Sequence, residues 1–149
     1  ENEPEIDCEL LENVDIGTEH IAGYSFDGKV AGMVMIYESV CEFFGLEKEF
    51  GKESFLPEPE KPVLEIEDAN GREQEILREA VRAIYSVRAD DSMLREILKL
   101  EDASERGKYF SELRKNYPVR REFYNTHVKG VEGKLAGKLE GIGFKVEGE

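Results

Sequence analysis

One stretch of the sequence, residues 28–46, restricts the fold more than any other, because it predicts a helix that is apolar on nearly every side and ends at Gly45. One face carries apolar residues at the three-to-four spacing of an α-helix, namely Val30, Val34, Tyr37, Cys41 and Phe44. The other faces carry Met33, Met35, Ile36, Val40 and Phe43. Such a helix is usually buried from more than one side. Nothing else in residues 1–60 is suited to cover it, which indicates that part of the protein lies outside this chain.

Negative charge is concentrated in the first part of the chain. Residues 1–60 carry 16 acidic and 3 basic side chains, whereas residues 61–149 carry 18 and 17. This shift in composition predicts a boundary near residue 60. Nucleic acids and anionic membranes attract proteins with a positive field, so a net charge of −14 argues against both as partners.

Cysteine content and hydropathy favour a cytoplasmic protein. The two cysteines, Cys8 and Cys41, form neither a disulfide framework nor a CxxC metal site, and we expect partly buried thiols without a chemical role. No apolar run reaches the roughly 20 residues that span a bilayer. The chain begins without Met and without a signal peptide, so we expect a processed chain or a fragment.

Around the apolar helix, the patterns predict a mixture of helices and strands. Residues 1–24 are irregular except for a helical turn at 7–13 and a short strand at 14–16, and the proline-rich residues 51–62 predict a linker. Residues 63–149 predict a compact α+β unit. Its expected elements are a strand at 63–67, a turn at Asn70-Gly71, a helix at 72–87, a short helix capped by Asp91 or Ser92 and reaching Leu98, a helix at 103–117, a strand at 121–128, a helix carrying Val131, Leu135 and Leu139, and a strand at 143–146.

Glu3 and His20 are the residues best suited to catalysis. A histidine titrates near neutrality, so it can take and return an alcohol proton at working pH. A carboxylate bonded to the other ring nitrogen of a histidine fixes its tautomer. The small residues Ala22 and Gly23 would let the backbone approach a ligand closely. By spacing alone, a single histidine near a loop is more often a surface or structural residue than a catalytic one.

Two motifs resemble the D-specific 2-hydroxy acid dehydrogenases. Residues 1–4, ENEP, resemble the Glu-Pro motif that follows the last strand of the dinucleotide-binding domain in that family. Residues 14–24, VDIGTEHIAGY, resemble its catalytic-histidine segment. The resemblance implies that these residues form the tail of a Rossmann-type α/β domain that binds NAD.

The same resemblance assigns roles to four residues. It implies that His20 accepts the C2 hydroxyl proton while hydride leaves C2 for NAD, and that Glu3 pairs with the imidazole and orients it. It further implies that Gly23 lies against the NAD and that Tyr24 contacts the substrate.

Three further segments narrow the resemblance to those members of the family that oxidise 4-phospho-D-erythronate in the synthesis of pyridoxal 5'-phosphate (vitamin B6). They are Asp27-Gly28-Lys29, residues 87–91, and residues 113–123, LRKNYPVRREF. The last is similar to the C-terminal dimerisation domain of those enzymes. The implied division is residues 1–24 as the tail of the NAD-binding domain, 25–60 as a crossover helix and linker to a substrate-binding lid, and 61–149 as an α+β dimerisation domain. The implied partners are 4-phospho-D-erythronate and a second copy of the chain.

The sequence departs from the family pattern where the cofactor would bind. It contains no GxGxxG that follows a strand and opens a helix. The arginine that grips the substrate carboxylate in the family would precede the Glu-Pro motif, and the lid domain is not represented. We therefore expect a C-terminal portion that neither binds NAD usefully nor turns over by itself.

Several other patterns have plainer explanations. Residues 133–138, GKLAGK, are one residue short of a phosphate loop and lack its Ser or Thr, so they predict a helix with small residues. Basic residues interleaved with aromatic ones could indicate RNA binding, but their acidic neighbours favour a structural or dimer-interface role. These basic residues are Arg114, Lys115, Arg120 and Arg121. His127 has no metal-ligand companion in the sequence, which predicts a structural or exposed histidine. The Asp90-Asp91 pair predicts the start of a helix.

Two alternatives to the enzyme fragment stay open. One is a non-catalytic oligomerisation module. The other is a related dehydrogenase, such as one for phosphoglycerate, with a regulatory tail, although residues 113–123 speak against it.

Overall fold

Four alternating stretches of the chain form two separate units in the computed structural model, which describes residues 3–67 and 73–147. The first unit comprises Glu1–Ala22 and Ser86–Pro118, and the second comprises Gly23–Tyr85 and Val119–Glu149. The helices are α1 (Cys8–Asn13), α2 (Phe26–Phe44), α3 (Glu73–Ile84), α4 (Val87–Arg95), α5 (Ala103–Lys115) and α6 (Gly133–Ile142). The strands are β1 (Val63–Glu65), β2 (His127–Lys129) and β3 (Lys145–Val146). Short 3-10 turns lie at Lys52–Ser54, Glu96–Lys99 and Phe123–Asn125.

The three strands form one parallel sheet in the second unit, with β2 in the centre. Val128 of β2 is fully buried and lies in register with Leu64 of β1 and Val146 of β3. Helices α3 and α6 share its core, whose other buried members are Ile76, Ala80, Val131, Leu135, Leu139 and Phe144. Parallel strands need long crossover connections, which α6 supplies between β2 and β3. The expected mixture of helices and strands is therefore confirmed.

Helix α2 confirms the helix predicted for residues 28–46, with bounds shifted by two residues. The Ser25 side chain accepts a hydrogen bond from the backbone N–H of Gly28, which caps the first turn. Gly45 ends the helix in the left-handed conformation, at φ 66°. The expectation that nothing in residues 1–60 covers the helix was wrong in part, because Phe50 packs against Tyr37, with 6.1 Å between ring centroids.

Another face of α2 is exposed. Phe43 keeps 83% of its surface accessible, and Met35, Ile36, Val40 and Phe44 are exposed beside it. These side chains border an open groove of about 350 Å³. Within the described ranges, no helix combines the length and the hydropathy needed to cross a membrane.

The core of the first unit is built by its helices. Its buried cluster consists of Leu11 of α1, Leu94 of α4, Ile97 of the 3-10 turn at Glu96–Lys99, and Phe110 of α5. Helix α1 confirms the turn predicted at 7–13, and α5 confirms the helix predicted at 103–117. Their N-termini are capped by Asp7 and Asp102, each of which accepts a backbone N–H three residues later.

Two predicted elements of the first unit were wrong in detail, namely the helix start at Asp91 or Ser92 and the strand at 14–16. Asp91 does not cap a helix but lies inside α4, because its carboxylate binds Arg95 and the backbone of Gly17. Ser92 and Asp90 lie inside α4 too, so the Asp90-Asp91 pair does not start the helix. Residues 14–16 form no strand, since Arg95 holds the carbonyl of Val14.

The strand predicted at 121–128 is a 3-10 turn followed by the short strand β2. Backbone and side-chain groups of residues 121–125 bind Asp27 instead of a neighbouring strand. The turn predicted at Asn70-Gly71 lies outside the described residues. Both cysteines are free thiols, with Cys41 buried and Cys8 partly buried.

Candidate active site

Glu3 and His20, which lie 17 residues apart in the sequence, meet in the first unit. Glu3 Oε1 is 2.6 Å from His20 Nδ1, a charge-assisted hydrogen-bond distance. The imidazole is otherwise open, with 64% of the side chain exposed, and Glu3 is 37% exposed. His20 has a φ of 60°, in the left-handed region that residues other than glycine seldom adopt. Backbone strain of this kind costs about 1–3 kcal/mol and clusters at functional sites.

Helix α5 supplies a second contact to Glu3. Arg114 Nη1 lies 3.4 Å from Glu3 Oε2, so the two carboxylate oxygens face a histidine and an arginine. The neighbouring Pro4 packs against Gly107 of α5, where an added Cβ would lie 3.4 Å from the proline ring. The glycine lets the chain that carries Glu3 approach the helix closely.

Two residues of α4 hold the segment that leads to His20. Asp91 Oδ1 accepts a 2.8 Å hydrogen bond from the backbone N–H of Gly17. Arg95 donates to the carbonyl oxygens of Leu11 and Val14, at 2.8 and 2.7 Å, and pairs with Asp91 at 2.9 Å. The Arg95 guanidinium and the Gly17 N–H lower the pKa of the Asp91 carboxyl. This pair replaces the regular backbone pairing that a strand would give residues 14–16.

Glu19, next to His20, is the most unusual side chain of this unit. It is fully buried, and neither carboxylate oxygen has a hydrogen-bond partner in another described residue. It lines a cavity of about 280 Å³ together with Met93, Tyr109, Glu112, Leu113, Asn116, Tyr117 and Pro118. Burial raises the pKa of Glu19, its own backbone N–H opposes this, and the nearby Asp90 adds to the increase. The residue next to His20 is therefore a carboxyl group whose surroundings disfavour its charged form.

The other two predicted site residues, Gly23 and Tyr24, belong to the second unit. Gly23 has a φ of 72°, and an added Cβ there would meet no atom within 4 Å. Its backbone is thus open to a ligand. The Nζ atom of Lys29, the fourth residue of α2, lies 3.7 Å from the centroid of the Tyr24 ring. That is a cation–π contact.

A buried ion pair fixes the start of α2. Asp27 is 3% exposed and accepts hydrogen bonds from Arg121 (2.9 and 3.1 Å), the Glu122 N–H (3.0 Å), Tyr124 (3.1 Å) and Asn125 (3.1 Å). Arg121 also donates to the carbonyl oxygen of Pro57. Burial alone would raise the pKa of Asp27, but the hydrogen bonds from Arg121, Glu122 and Asn125 outweigh it and lower the pKa to about 2.

Sequence reasoning did not identify these supporting residues. Their partners lie 74 or more residues away in the sequence, as with Gly17 and Asp91 or Asp27 and Arg121. The only signal was indirect, since Asp27, Arg114 and Arg121 all belong to the segments that carry the family resemblance.

The residues for which the sequence analysis rejected RNA binding, metal binding or a phosphate loop contact other residues of the chain. Arg120 stacks 4.4 Å above the Tyr85 ring, and Lys115 lies 3.8 Å from Glu112. His127 Nδ1 lies 2.9 Å from Glu147 Oε1. Residues 133–138 belong to α6, which confirms the helix predicted there. Among the described residues, no three His, Cys, Asp or Glu side chains come close enough to hold a metal ion.

Comparison with known proteins relates the whole chain to one group. Residues 55–143 match the family described as "Domain of unknown function (DUF3410)". The chain is 38% identical over 149 residues to the erythronate-4-phosphate dehydrogenase of Marinobacter nauticus, a match that covers 99% of this chain and 38% of that protein. It is 41% identical over 133 residues to the enzyme of that name from Cellvibrio japonicus (87% and 34%). For Escherichia coli the identity is 36% over 144 residues (97% and 36%).

These matches confirm the resemblance inferred from the motifs. They lie in the C-terminal part of the relatives, and the chain spans little more than a third of their length. Because the matched domain covers more than half of the sequence, the chain belongs to the DUF3410 family and is similar, over nearly all its residues, to the C-terminal part of erythronate-4-phosphate dehydrogenases.

Proposed function

We propose that this chain is the C-terminal part of an NAD-dependent dehydrogenase that oxidises 4-phospho-D-erythronate at C2 to the 2-oxo acid, in vitamin B6 synthesis. In this proposal His20 is the catalytic base and Glu3 is the residue that orients it. The observation that supports it best is the 2.6 Å contact between Glu3 Oε1 and His20 Nδ1. The names of the relatives supply the substrate.

The geometry suits a base that acts through one ring nitrogen. With Nδ1 bonded to Glu3, Nε2 of His20 is the nitrogen that takes up the C2 hydroxyl proton. The Glu3 carboxylate then stabilises the imidazolium that forms. The contact from Arg114 restrains the second oxygen of Glu3, so that the carboxylate keeps its orientation while the proton moves. In the reverse direction, the imidazolium returns the proton to the carbonyl oxygen.

The described residues fit one edge of an NAD site. When bound, NAD supplies the acceptor for the C2 hydride. Gly23 is the residue of this chain that would lie against it, and its open backbone leaves room for a flat ring to approach. In this proposal the remaining contacts to the cofactor come from a part of the complete protein that corresponds to the unmatched part of the relatives.

We further propose that the protein is a cytoplasmic homodimer. In this organisation residues 1–24 close a Rossmann-type domain, residues 25–60 cross to a lid domain, and residues 61–149 form the dimerisation domain. The three-stranded sheet with α3 and α6 provides a small folded unit for such a role. Size-exclusion chromatography with light scattering on the complete protein tests the dimer, and a monomer at micromolar concentration would contradict it.

The catalytic assignment is tested by His20→Gln in the complete protein, with NAD and 4-phospho-D-erythronate as substrates. Loss of a general base typically lowers the rate by about 10²–10⁴-fold. We expect a fall of that size in kcat with little change in KM, because the imidazole acts on a proton that moves only in the transition state. Glu3→Gln should lower kcat less, since the histidine stays in place without its charged partner.

His127→Gln is the matched control, because His127 also pairs with a glutamate but on the sheet of the second unit. It should leave kcat unchanged within about twofold. If His20→Gln and His127→Gln had the same activity, His20 would not be the base. If the unaltered protein did not oxidise 4-phospho-D-erythronate but oxidised 3-phosphoglycerate, the substrate assignment would fail.

A further inference from the structure

We infer that Lys29 recognises the phosphate group of the substrate, and so lets the enzyme select a phosphorylated over an unphosphorylated 2-hydroxy acid. The inference rests on the proposed function and includes, as part of the proposal, the role that the family resemblance implies for Tyr24, namely contact with the substrate. It starts from the position of the Lys29 ammonium, 3.7 Å from the centre of the Tyr24 ring. A group held beside a substrate-contacting side chain is within reach of the same substrate.

Lys29 is the only lysine or arginine in residues 1–47, a stretch that contains twelve acidic residues. A substrate with a carboxylate and a phosphate would be repelled by such a segment unless a cation faced it. Among the described residues, no carboxylate lies within ion-pair distance of Lys29, whereas Lys48 lies 3.9 Å from Glu38. The ammonium of Lys29 is exposed and keeps its N–H donors for an anion.

The nearest acid along the chain does not neutralise Lys29. Asp27 is buried, and its carboxylate is bound by Arg121, Tyr124 and Asn125. The Arg121 side chain is itself only 9% exposed, so this ion pair is closed to a ligand. The positive charge of Lys29 therefore stays available at the start of α2.

Helix stability does not explain a lysine at this position. Lys29 is the fourth residue of α2, near the end of the helix where the backbone N–H groups carry partial positive charge. A cation there is mildly destabilising, by a few tenths of a kcal/mol at an exposed site. An anion at the same place is attracted mainly by the ammonium, because the backbone N–H groups of Phe26 and Gly28 are already bonded to Arg120 and Ser25 and leave only the weaker helix dipole. The Tyr24 ring holds the ammonium by a cation–π contact without neutralising its charge, because the ring itself carries no net charge.

The test compares 4-phospho-D-erythronate with D-erythronate, which lacks the phosphate, in the complete protein with NAD. Lys29→Met should lower kcat/KM for the phosphorylated substrate about 10- to 100-fold, mainly through KM, as expected for loss of a charge-assisted hydrogen bond far from the reacting carbon. Turnover or competitive inhibition by D-erythronate should stay within about twofold, which also shows that the variant is folded. Lys29→Arg should retain most of the selectivity, since arginine also binds phosphate.

Lys48→Met is the matched control, because it removes the same charge from the same unit. Lys48→Met should leave kcat/KM for 4-phospho-D-erythronate, and turnover or inhibition by D-erythronate, unchanged. If Lys29→Met lowered the activity with both substrates equally, or lowered neither, the inference would be overturned and the proposed function would stand. If the unaltered protein accepted neither compound, the proposed function would be overturned, and this inference with it.

Discussion

Glu19 shows how a single residue beside the proposed base can bring an unfavourable charge into the site. A carboxyl group that is fully buried, with no hydrogen-bond partner in the described part of the chain, prefers its neutral form, because the protein interior solvates the charge poorly. Burial raises the pKa of Glu19 above its usual value, and Asp90 acts in the same direction. The folded protein therefore binds a proton more tightly at this position than the unfolded chain does.

The sign of the linkage follows from that difference. The stability contributed by the raised pKa is present below the ordinary value of 4.5 and is lost as the pH rises through the higher value of the folded state. We expect Glu19→Gln to be more stable than the unaltered protein at pH 7.5, since the glutamine avoids the cost of burying a carboxyl group whose pKa is raised by folding, and this advantage to shrink at pH 4.5. Urea unfolding at the two pH values, followed by circular dichroism, measures both differences.

Glu112→Gln is the control for that experiment, because Glu112 lines the same cavity but is exposed. For Glu112→Gln, the difference between the free energies of unfolding at pH 7.5 and pH 4.5 should be the same as for the unaltered protein. A Glu19→Gln variant that is less stable than the unaltered protein at pH 7.5 would mean that the carboxylate has a partner in the complete protein.

Sequence reasoning found the chemistry of the site but not its electrostatics. Glu3 and His20 were recognisable because each lies in a short motif that resembles a known family. The burial of Glu19 was not, because it depends on α5, whose Tyr109 and Leu113 lie some 90 residues further along the chain. A pattern of neighbours in sequence carries no record of which distant helix covers a side chain.

At the scale of elements, the ion pair between Asp27 and Arg121 joins the first turn of α2 to the segment before β2. Asp27→Asn leaves the Arg121 guanidinium buried without its counter-charge, and removing one partner of a buried pair costs about 3–5 kcal/mol. We expect the free energy of unfolding to fall by roughly that amount. Glu38→Gln, on the exposed middle of the same helix, should cost less than about 1 kcal/mol, since its pairing with Lys48 is at the surface.

The same ion pair gives stability a specific dependence on acid. The pKa of Asp27 is lowered to about 2 from an ordinary 3.8, so its contribution is complete above pH 3.8 and lost as the pH falls towards 2. The shift corresponds to about 2 kcal/mol. Unfolding measured between pH 5 and pH 2 should show this loss in the unaltered protein and not in Asp27→Asn. Parallel curves for the two proteins would contradict the prediction.

Elements stabilised by local interactions could be predicted, and elements held by distant side chains could not. The end of α2 at Gly45 and the extent of α5 before Pro118 follow from residues within one turn. The start of α4 was missed because Asp91 looks like a cap in the sequence, whereas its carboxylate is occupied by Arg95 and Gly17. The missing strand at 14–16 has the same origin.

At the scale of the whole molecule, the proposed base His20 and its partner Glu3 account for only part of the rate enhancement that an enzyme needs. General acid–base chemistry is worth about 10²–10⁴-fold, whereas holding two reactants in a productive geometry contributes about 7–11 kcal/mol. The chain matches little more than a third of its relatives and contains no Gly-rich dinucleotide fingerprint. Under the proposed function, the larger contribution comes from parts of the enzyme that residues 1–149 do not include.

Because residues 1–149 supply the proposed base but not the groups that position both reactants, we predict that this chain alone is inactive, even though Glu3 and His20 are in contact. We expect no NAD reduction above background with 4-phospho-D-erythronate, measured at 340 nm, and no NAD binding in calorimetry at millimolar concentration. The complete protein, assayed in parallel, is the positive control, and circular dichroism shows whether the shorter chain keeps its helices. Turnover by the 149 residues at even about one hundredth of the complete rate would mean that this chain orients both reactants itself, because that rate lies only about 3 kcal/mol below full transition-state stabilisation.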